Sequence, residues 1–461
     1  MKAIIAFLAI TSTVLLFGSI VGNPLNIQNS DESTFHKVVS QLFKTEGIEN
    51  NPPKIKLISP LPNSLVDSSV GLFWIGNDKD RDALIYYVYV GENEKELKLI
   101  KTTHKSSIIV NLEEGKEYFW RVDAFDGKSF ARSNIWKFET LEKKWTALIY
   151  LNGDNDLSLY AEKELNELLN TTSEINITIL FDGPYENDSC LYEIRNGNSQ
   201  ILTPSFLEKE VNMGDAKVLK NCINFIRSRE KTNNIILEIW GHGNGWLGTC
   251  FDKTNSDMLT LEEIKNAVGK VSILIFSSCY MGNVEVAYAL RNTADYMIAC
   301  EASLPAGCLP HKDIFDAINS NMNPEEICFT IIEKFSDYVG FLSSSFAVWN
   351  LSKMEYLSQK VNEFSIEMKE ENYNEILEFR NLSSYCLQYI DLFEFAKLTY
   401  NFLNYEEAKN VMDAINETIL LNYGEKRGVG IYFPLPVYQS KYYPDTDFCI
   451  SNEWDEFIAK L

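Results

Sequence analysis

The segment IILEIWGHGNGW at residues 235–246 combines a strand-length apolar run with a glycine-rich turn that holds His242. A continuous apolar run of this length is typical of a strand buried on both faces of a parallel sheet. The segment SILIFSSCYMGN at 272–283 repeats the arrangement, with Cys279 in the turn. Since glycines let the backbone turn sharply and approach a ligand closely, the turn around His242 is a candidate functional site.

Similar apolar runs, separated by stretches with helical spacing, occur on both sides of these segments and predict an α/β fold. Stretches with helical spacing of apolar residues separate the apolar runs, which indicates a mostly parallel sheet with helices on both faces. A helix-rich region follows, and GVGIYF reads as a late strand at 428–433. The strand-length runs are 147–151, 175–181, 235–240, 272–276 and 296–299, and the helical stretches are 159–169, 216–226, 261–268 and 284–290.

His242 and Cys279 are the candidate catalytic pair. Each follows a predicted strand, and the carboxyl ends of parallel strands open onto one edge of the sheet. A histidine can act as general base for a cysteine nucleophile in covalent acyl transfer. The backbone N–H groups of Gly243 and Cys279 are the candidate oxyanion hole. Taken singly, either residue is more often structural; their placement on successive strands favours catalysis.

Four blocks carry a family resemblance: YLNGDNDL at 150–157, HGNGW at 242–246, CYMG at 279–282 and GIYFP at 430–434. Their content and order resemble the clostripain family of cysteine peptidases, whose catalytic fold is caspase-like. The resemblance implies His242 as general base and Cys279 as nucleophile, with protein or peptide substrates and no required third member. It implies no cofactor for the chemistry and leaves calcium as a candidate ligand.

The sequence departs from the family pattern at Ser277, where the family places an acidic residue that selects Arg or Lys in the substrate. A hydroxyl cannot neutralise a buried guanidinium, so the preference for the residue before the cut bond (P1) stays open. Glu301, after the next strand, is the candidate carboxylate for this pocket. Lys253, between the His and Cys strands, is the candidate self-processing site that the resemblance implies.

The sequence assigns no metal ligands. Asp154, Asn155 and Asp156 lack the remainder of a calcium loop, so a tight turn into a helix at Ser158 is the favoured interpretation. The nine cysteines include no CxxC pair, and the odd count leaves at least one thiol unpaired in an exported protein.

The first 141 residues predict export and a separate β domain. Residues 1–22 read as a signal peptide, with an uncleaved membrane anchor as the less favoured alternative. Residues 23–52 read as a polar spacer and 144–461 as the peptidase domain. Short alternating strands at 53–141 predict a β-sandwich with Trp74 and Trp120 in its core. The run LxxGxxYxWxV at 112–122 resembles the tyrosine-corner strand of fibronectin type III domains. Such a module implies contact with cell-surface material or with the catalytic domain.

The net charge of the chain disfavours one class of function. The 461 residues carry a formal charge of −23, which disfavours nucleic-acid binding. The leading hypothesis is an exported cysteine endopeptidase, extracellular, periplasmic or associated with the cell envelope. A catalytically silent envelope binding protein and a different thiol acyl-transfer enzyme are the alternatives.

Overall fold

The computed structural model describes residues 50–461 apart from 67, 114, 141–144, 196, 231, 233, 341–344 and 369–371. The predicted signal peptide at 1–22 and nearly all of the predicted spacer at 23–52 lie outside the described residues. The chain divides into two compact units between residues 141 and 142. No helix in the described ranges is both long and apolar enough to cross a bilayer.

The first unit consists of two sheets that share one core. A three-stranded sheet has the order β1-β3-β6, and a second sheet has the order β2-β9-β7-β4-β5 with β8 paired to β7. Strand alternation buries Val70, Leu72 and Trp74 on one face of β3, and Trp120 of β7 packs in the same cluster. The strands are β1 (Lys54–Ser59), β2 (Ser64–Val66), β3 (Ser69–Asn77), β4 (Ile85–Gly91), β5 (Lys98–Thr103), β6 (Ser107–Asn111), β7 (Glu117–Phe125), β8 (Phe130–Arg132) and β9 (Trp136–Thr140).

The second unit is built on a nine-stranded sheet of order β13-β12-β11-β10-β14-β17-β18-β19-β21. The five central strands, β11 to β18 in this order, are parallel, and two antiparallel strands extend each edge. The strands of this unit are β10 (Thr146–Asn152), β11 (Asn176–Asp182), β12 (Cys190–Arg195), β13 (Asn198–Leu202), β14 (Ile235–Trp240), β15 (Thr249–Asp252), β16 (Asp257–Leu259), β17 (Val271–Ser277), β18 (Ala294–Cys300), β19 (Ser345–Asn350), β20 (Tyr389–Asp391), β21 (Ile419–Gly424) and β22 (Gly430–Tyr432).

Helices cover both faces of this sheet, as the sequence predicts. One face packs α1, α5 and α6 around Ile275 and Trp240, and the other packs α2, α3, α4, α7, α9 and α10 around Leu237 and Leu274. The helices are α1 (Ser158–Leu169), α2 (Ala216–Glu230), α3 (Leu261–Val268), α4 (Val284–Ala289), α5 (His311–Ala317), α6 (Pro324–Val339), α7 (Met354–Glu367), α8 (Tyr373–Ser383), α9 (Leu392–Leu403), α10 (Glu406–Thr418) and α11 (Trp454–Ile458).

The sheet is less parallel than predicted. The five predicted strands form its parallel centre, whereas the four edge strands are antiparallel and were not foreseen. β12 and β13 follow β11 with no helix between them, as antiparallel neighbours can, so they lack the strand–helix alternation that the prediction used. β19 and β21 each follow a helix and fall in or at the end of the region that the sequence indicates to be rich in helix. The late strand predicted at 428–433 is present as Gly430–Tyr432, and it pairs with β20 in a separate two-stranded sheet.

Candidate active site

The register of two central strands brings His242 and Cys279 to one place. β14 and β17 are adjacent and parallel, both are fully buried, and Trp240 pairs with Ser277 at their carboxyl ends. His242 and Cys279 each lie two residues beyond these paired positions. The two turns therefore leave the sheet side by side.

Gly243 holds the two turns in contact. A Cβ built on Gly243 would lie 2.1 Å from the carbonyl oxygen of Cys279 and 2.8 Å from Cβ of Ser278. Only glycine permits this approach, because real Cβ atoms do not come within 3.0 Å of other heavy atoms. Within the described residues, no backbone hydrogen bond uses the N–H of Gly243 or of Cys279. Both groups are thus available to an incoming oxygen.

Cys279 is half-buried, and its thiol faces the segment that follows β18. Its Sγ accepts a hydrogen bond from the Leu304 N–H at 3.4 Å. The next residue, Tyr280, has a φ of 62°, a conformation that non-glycine residues rarely adopt and that costs about 1–3 kcal/mol. Its N–H donates to the carbonyl of Ala302 at 2.9 Å, which helps to hold this turn.

His242 is oriented by a carboxylate that the sequence assigned to a turn. Its Nε2 lies 2.6 Å from Oδ1 of Asp156, and the two side chains are 41% and 83% exposed. The hydrogen bond from His242 lowers the pKa of Asp156 below its ordinary value. With Nε2 engaged, Nδ1 is the nitrogen that remains to take a proton. No hydrogen bond between His242 and Cys279 occurs among the described residues, although both line one cavity.

That cavity has a volume of about 110 Å³. Its lining includes His242, Cys279, Ser277, Glu164 and the segment 304–309. Ser277 lies in its wall, as predicted for the pocket, and is only 8% exposed. Its Oγ donates to Oε1 of Glu238 at 2.5 Å. A carboxylate therefore sits directly behind the hydroxyl.

Three buried charged side chains form the floor of this region. His311 contacts Glu238 through Nε2 at 2.8 Å and contacts Glu164 through Nδ1. Burial alone would lower the pKa of His311, but the two carboxylates outweigh it and raise the pKa well above its ordinary value. The cluster thus pairs one imidazolium with two carboxylates. Oε1 of Glu164 is buried without a hydrogen-bond partner.

Glu301 does not line this cavity, contrary to the expectation from sequence. Cys300 packs with Trp240 in the cluster beside the cavity, and alternation along the strand turns the next side chain to the opposite face. There burial, reinforced by Asp391, raises the pKa of Glu301 well above its ordinary value. Lys253 lies exposed at the tip of the β15–β16 hairpin, within what the sequence suggested was a loop.

Three comparisons with known proteins agree with this architecture. A family model described as the clostripain family, Peptidase_C11, matches residues 149–460. Clostripain of Hathewaya histolytica is 23% identical, over 63% of this chain and 75% of that protein.

Two solved structures have the same mixed α/β fold. An inactive zymogen of a C11 protease from Parabacteroides distasonis has a TM-score of 0.56 at 18% identity, over 68% of this chain and 99% of that one. A secreted C11 cysteine protease from Bacteroides thetaiotaomicron, in complex with an irreversible peptide inhibitor, has a TM-score of 0.55 at 20% identity with the same coverage. Since the family model covers well over half of its length, the chain belongs to the clostripain family of cysteine peptidases.

Proposed function

We propose that this chain is an exported cysteine endopeptidase in which Cys279 is the nucleophile and His242 the general base. The observation that carries the proposal is the pairing of Trp240 with Ser277, which places both residues at equal distances beyond adjacent strand ends. The contact of Gly243 with the Cys279 backbone supports it. An apo structure often lacks the final hydrogen bond between base and nucleophile.

The chemistry follows from these positions. Nδ1 of His242 takes the thiol proton, and the Cys279 thiolate attacks the carbonyl carbon of the peptide bond. The N–H groups of Gly243 and Cys279 donate to the oxyanion that forms. His242 then gives its proton to the leaving amine, and a thioester remains. Water attacks the thioester with His242 again as base, releasing the acid and restoring the thiol.

Asp156 acts through His242 as a positioning residue. Its carboxylate accepts from Nε2 and stabilises the imidazolium that forms in each proton transfer. The test of the whole scheme is hydrolysis of a peptide substrate by Cys279→Ala and His242→Ala. Both should lose activity by at least about 10²-fold while keeping the wild-type melting temperature. Retained hydrolysis in either variant contradicts the scheme.

The pocket charge supports a cationic P1 side chain. Two carboxylates and one imidazolium leave a net negative charge behind Ser277, and the free oxygen of Glu164 faces the cavity region. Glu164 and Glu238 thus take the place of the acidic residue that the family has at position 277. A buried carboxylate oxygen without a hydrogen-bond partner favours a positively charged ligand group.

Glu164→Gln tests this specificity, with Glu167→Gln on the same helix as the matched control. Removal of the negative charge of Glu164 should lower kcat/KM for Lys and Arg substrates by at least about tenfold and leave a neutral P1 substrate unaffected. The control should leave both unchanged, because Glu167 does not line the cavity. Equal loss on charged and neutral substrates contradicts a role in specificity.

We also propose self-processing after Lys253, whose exposure at a hairpin tip makes it accessible. Mass spectrometry of the purified chain should find a fragment that begins at Thr254. The Cys279→Ala variant should lack this fragment. If the inactive variant produces it equally, another peptidase makes the cut.

Export and a fibronectin type III-like first unit complete the proposal. The Tyr118 hydroxyl accepts from the Glu113 N–H at 3.1 Å, the hydrogen bond of a tyrosine corner.

One relative is described as secreted, which supports export of this chain. Protein collected outside the producing cells should begin at Asn23. A chain that keeps residues 1–22 contradicts cleavage of the signal.

A further inference from the structure

A buried tyrosine outside the nine-stranded sheet contacts both catalytic turns. Tyr389 begins β20, the short strand that pairs with β22. Only 2% of Tyr389 is exposed, and it does not line the cavity that contains His242 and Cys279. Tyr389 therefore does not touch a substrate in that cavity, and any effect that it has on the chemistry acts through other residues.

The hydroxyl of Tyr389 packs against the turn that holds His242. It accepts a hydrogen bond from the Trp246 N–H at 3.4 Å and donates one to the Asn244 carbonyl at 3.5 Å. Gly245 leaves the room for this approach, because a Cβ there would lie 2.0 Å from the hydroxyl oxygen. Both hydrogen bonds are long, so the hydroxyl fixes this turn mainly by filling the space beside Gly245.

The ring of Tyr389 packs against the turn that holds Cys279. It stacks on the ring of Tyr280, with centroids 5.9 Å apart and an angle of 16° between the two planes. Tyr280 follows Cys279 directly, so whatever fixes Tyr280 also fixes the backbone of the nucleophile. The hydroxyl of Tyr280 lies 3.0 Å from Oγ of Ser303. Tyr280 is thus held over its ring face by Tyr389 and at its hydroxyl end by Ser303.

Tyr389 is itself held in place by its neighbours. Its backbone pairs with that of Tyr432, and the two rings meet edge to face at 5.7 Å. Glu285 of α4 accepts from the Tyr432 N–H at 2.8 Å, which anchors this small sheet to the helix after the Cys279 turn. Burial raises the pKa of Tyr389 well above its ordinary value, so its hydroxyl stays protonated and takes no part in proton transfer.

We propose that Tyr389 is a positioning residue that sets the spacing of the His242 and Cys279 turns, with its hydroxyl on one turn and its ring on the other. This role depends on the proposed function, in which His242 takes the thiol proton of Cys279. Since no hydrogen bond joins these two side chains among the described residues, the backbone of the two turns sets their separation. A displacement of about 1 Å between them costs about 10²-fold in rate.

The experiment measures the labelling of Cys279 by an irreversible peptidyl electrophile, in the full chain and well below every melting temperature. The saturating rate, kinact, reports attack by the thiol, KI reports binding, and the final labelled fraction counts the folded sites. Mass spectrometry separates Cys279 from Cys190, the reference thiol in the same sample. A purely structural role would lower the labelled fraction and the melting temperature but would leave kinact unchanged.

Tyr389→Leu removes the ring and the hydroxyl, so it should lower kinact by about 10²-fold. KI should not change, because Tyr389 does not line the cavity. Tyr389→Phe keeps the stacked ring and loses only the two long hydrogen bonds. It should therefore recover most of the loss, with kinact about threefold to tenfold below the wild type.

Two buried aromatic residues supply matched controls for stability. Tyr150→Phe loses a hydrogen bond of 3.1 Å from a fully buried hydroxyl to the Met213 carbonyl. Phe335→Leu removes a fully buried ring that lies 4.7 Å from the ring of Phe346. These contacts involve neither catalytic turn, so both controls should melt lower than the wild type and keep its kinact.

Three results would overturn the role of Tyr389. These are an unchanged kinact in Tyr389→Leu, an equal fall of kinact in Phe335→Leu, or a change in KI alone. If Tyr389→Leu does not fold, Tyr389→Phe and Tyr150→Phe decide the question, and equal kinact in these two variants contradicts the role.

The labelling of the wild type separates this role from the proposed function. A wild type that labels Cys279 no faster than Cys190 contradicts the proposed function, and the role of Tyr389 fails with it. A wild type that labels Cys279 rapidly, with Tyr389→Leu equally rapid, contradicts the role of Tyr389 alone.

Discussion

Replacing Gly243 with alanine tests the contact that joins the two catalytic turns. The added Cβ would meet the Cys279 carbonyl oxygen at 2.1 Å, where 3.0 Å is the closest observed approach. The obstacle is backbone and cannot rotate away, so the two turns must separate by about 1 Å, a displacement that costs about 10²-fold in rate. Such a loss corresponds to about 2.7 kcal/mol of transition-state stabilisation.

The assay is kcat/KM on a peptide substrate, with melting temperature measured on the same preparation. Overpacking at Gly243 should also cost about 1–3 kcal/mol of stability, so a control with a comparable stability loss is needed. Gly340→Ala supplies it. No atom of the described residues lies within 4 Å of the new Cβ, but the φ of 69° at this position strains an alanine by about 1–2 kcal/mol. Gly340→Ala should melt lower and keep full activity. If Gly243→Ala stays within threefold of wild-type activity, the close contact between Gly243 and Cys279 does not hold the catalytic geometry.

Three further predictions concern other contacts. Asp156→Asn should lower kcat by about tenfold with little change in KM, because an amide cannot stabilise the His242 imidazolium, and Asp156→Glu should recover part of the loss. His311→Gln should cost about 3–5 kcal/mol at neutral pH by unpairing two buried carboxylates. Because the folded pKa of His311 is raised, this stability is complete below its unfolded pKa of about 6.5 and is lost as pH rises through the folded value. Melting curves from pH 6 to 10 should therefore show the wild type approaching the variant at alkaline pH, and a gap that widens there would contradict the pairing. Tyr118→Phe should lower the unfolding free energy of the first unit by about 1 kcal/mol without affecting activity, since only the hydrogen bond from Glu113 is lost.

The central part of the fold could be predicted because its signal is local. Apolar runs such as 235–240 and 271–277 are buried on both faces, and each is preceded or followed by a helix. The outermost strand β13 gives no such signal. β13 is almost wholly exposed and lacks apolar alternation, so nothing in its sequence distinguishes it from a loop.

The sequence was enough to predict the candidate catalytic residues, but it did not predict the charged side chains that lie around them. Glu238 is the one charged residue in an otherwise apolar strand, and that isolated charge was the available signal for the pocket floor. Its partner His311, and Glu164 on the other side of that ring, come from helices distant in sequence, and only tertiary packing brings them together. Glu301 was assigned to the pocket only because it follows the end of β18. Successive side chains of a strand point to opposite faces, so Glu301, one residue after Cys300, lies on the other face of the sheet.

A group of acidic side chains at the ends of β10 and β11, in which oxygens of Asp154, Asp182 and Glu210 lie within 4.8 Å of one another, shows the same limit. Asp154 and Asp182 become neighbours because the strands before them are paired, with Asn152 opposite Asp182. Glu210 and Asp252 arrive from separate segments. No spacing along the chain reports this convergence, which explains why the sequence pointed only to a turn at 154–156.

The reactivity of Cys279 tests the central claim most directly. All nine cysteines are free thiols, and Cys190 and Cys386 are half-buried as Cys279 is, so they serve as internal references. An irreversible peptidyl electrophile with lysine at P1 should label Cys279 at least about 10²-fold faster than either reference, and His242→Ala should reduce its rate to theirs. The rates are read by mass spectrometry of the cysteine-containing peptides. Equal labelling of the three thiols, or labelling of Cys279 that is unaffected by His242→Ala, would contradict the assignment of the pair.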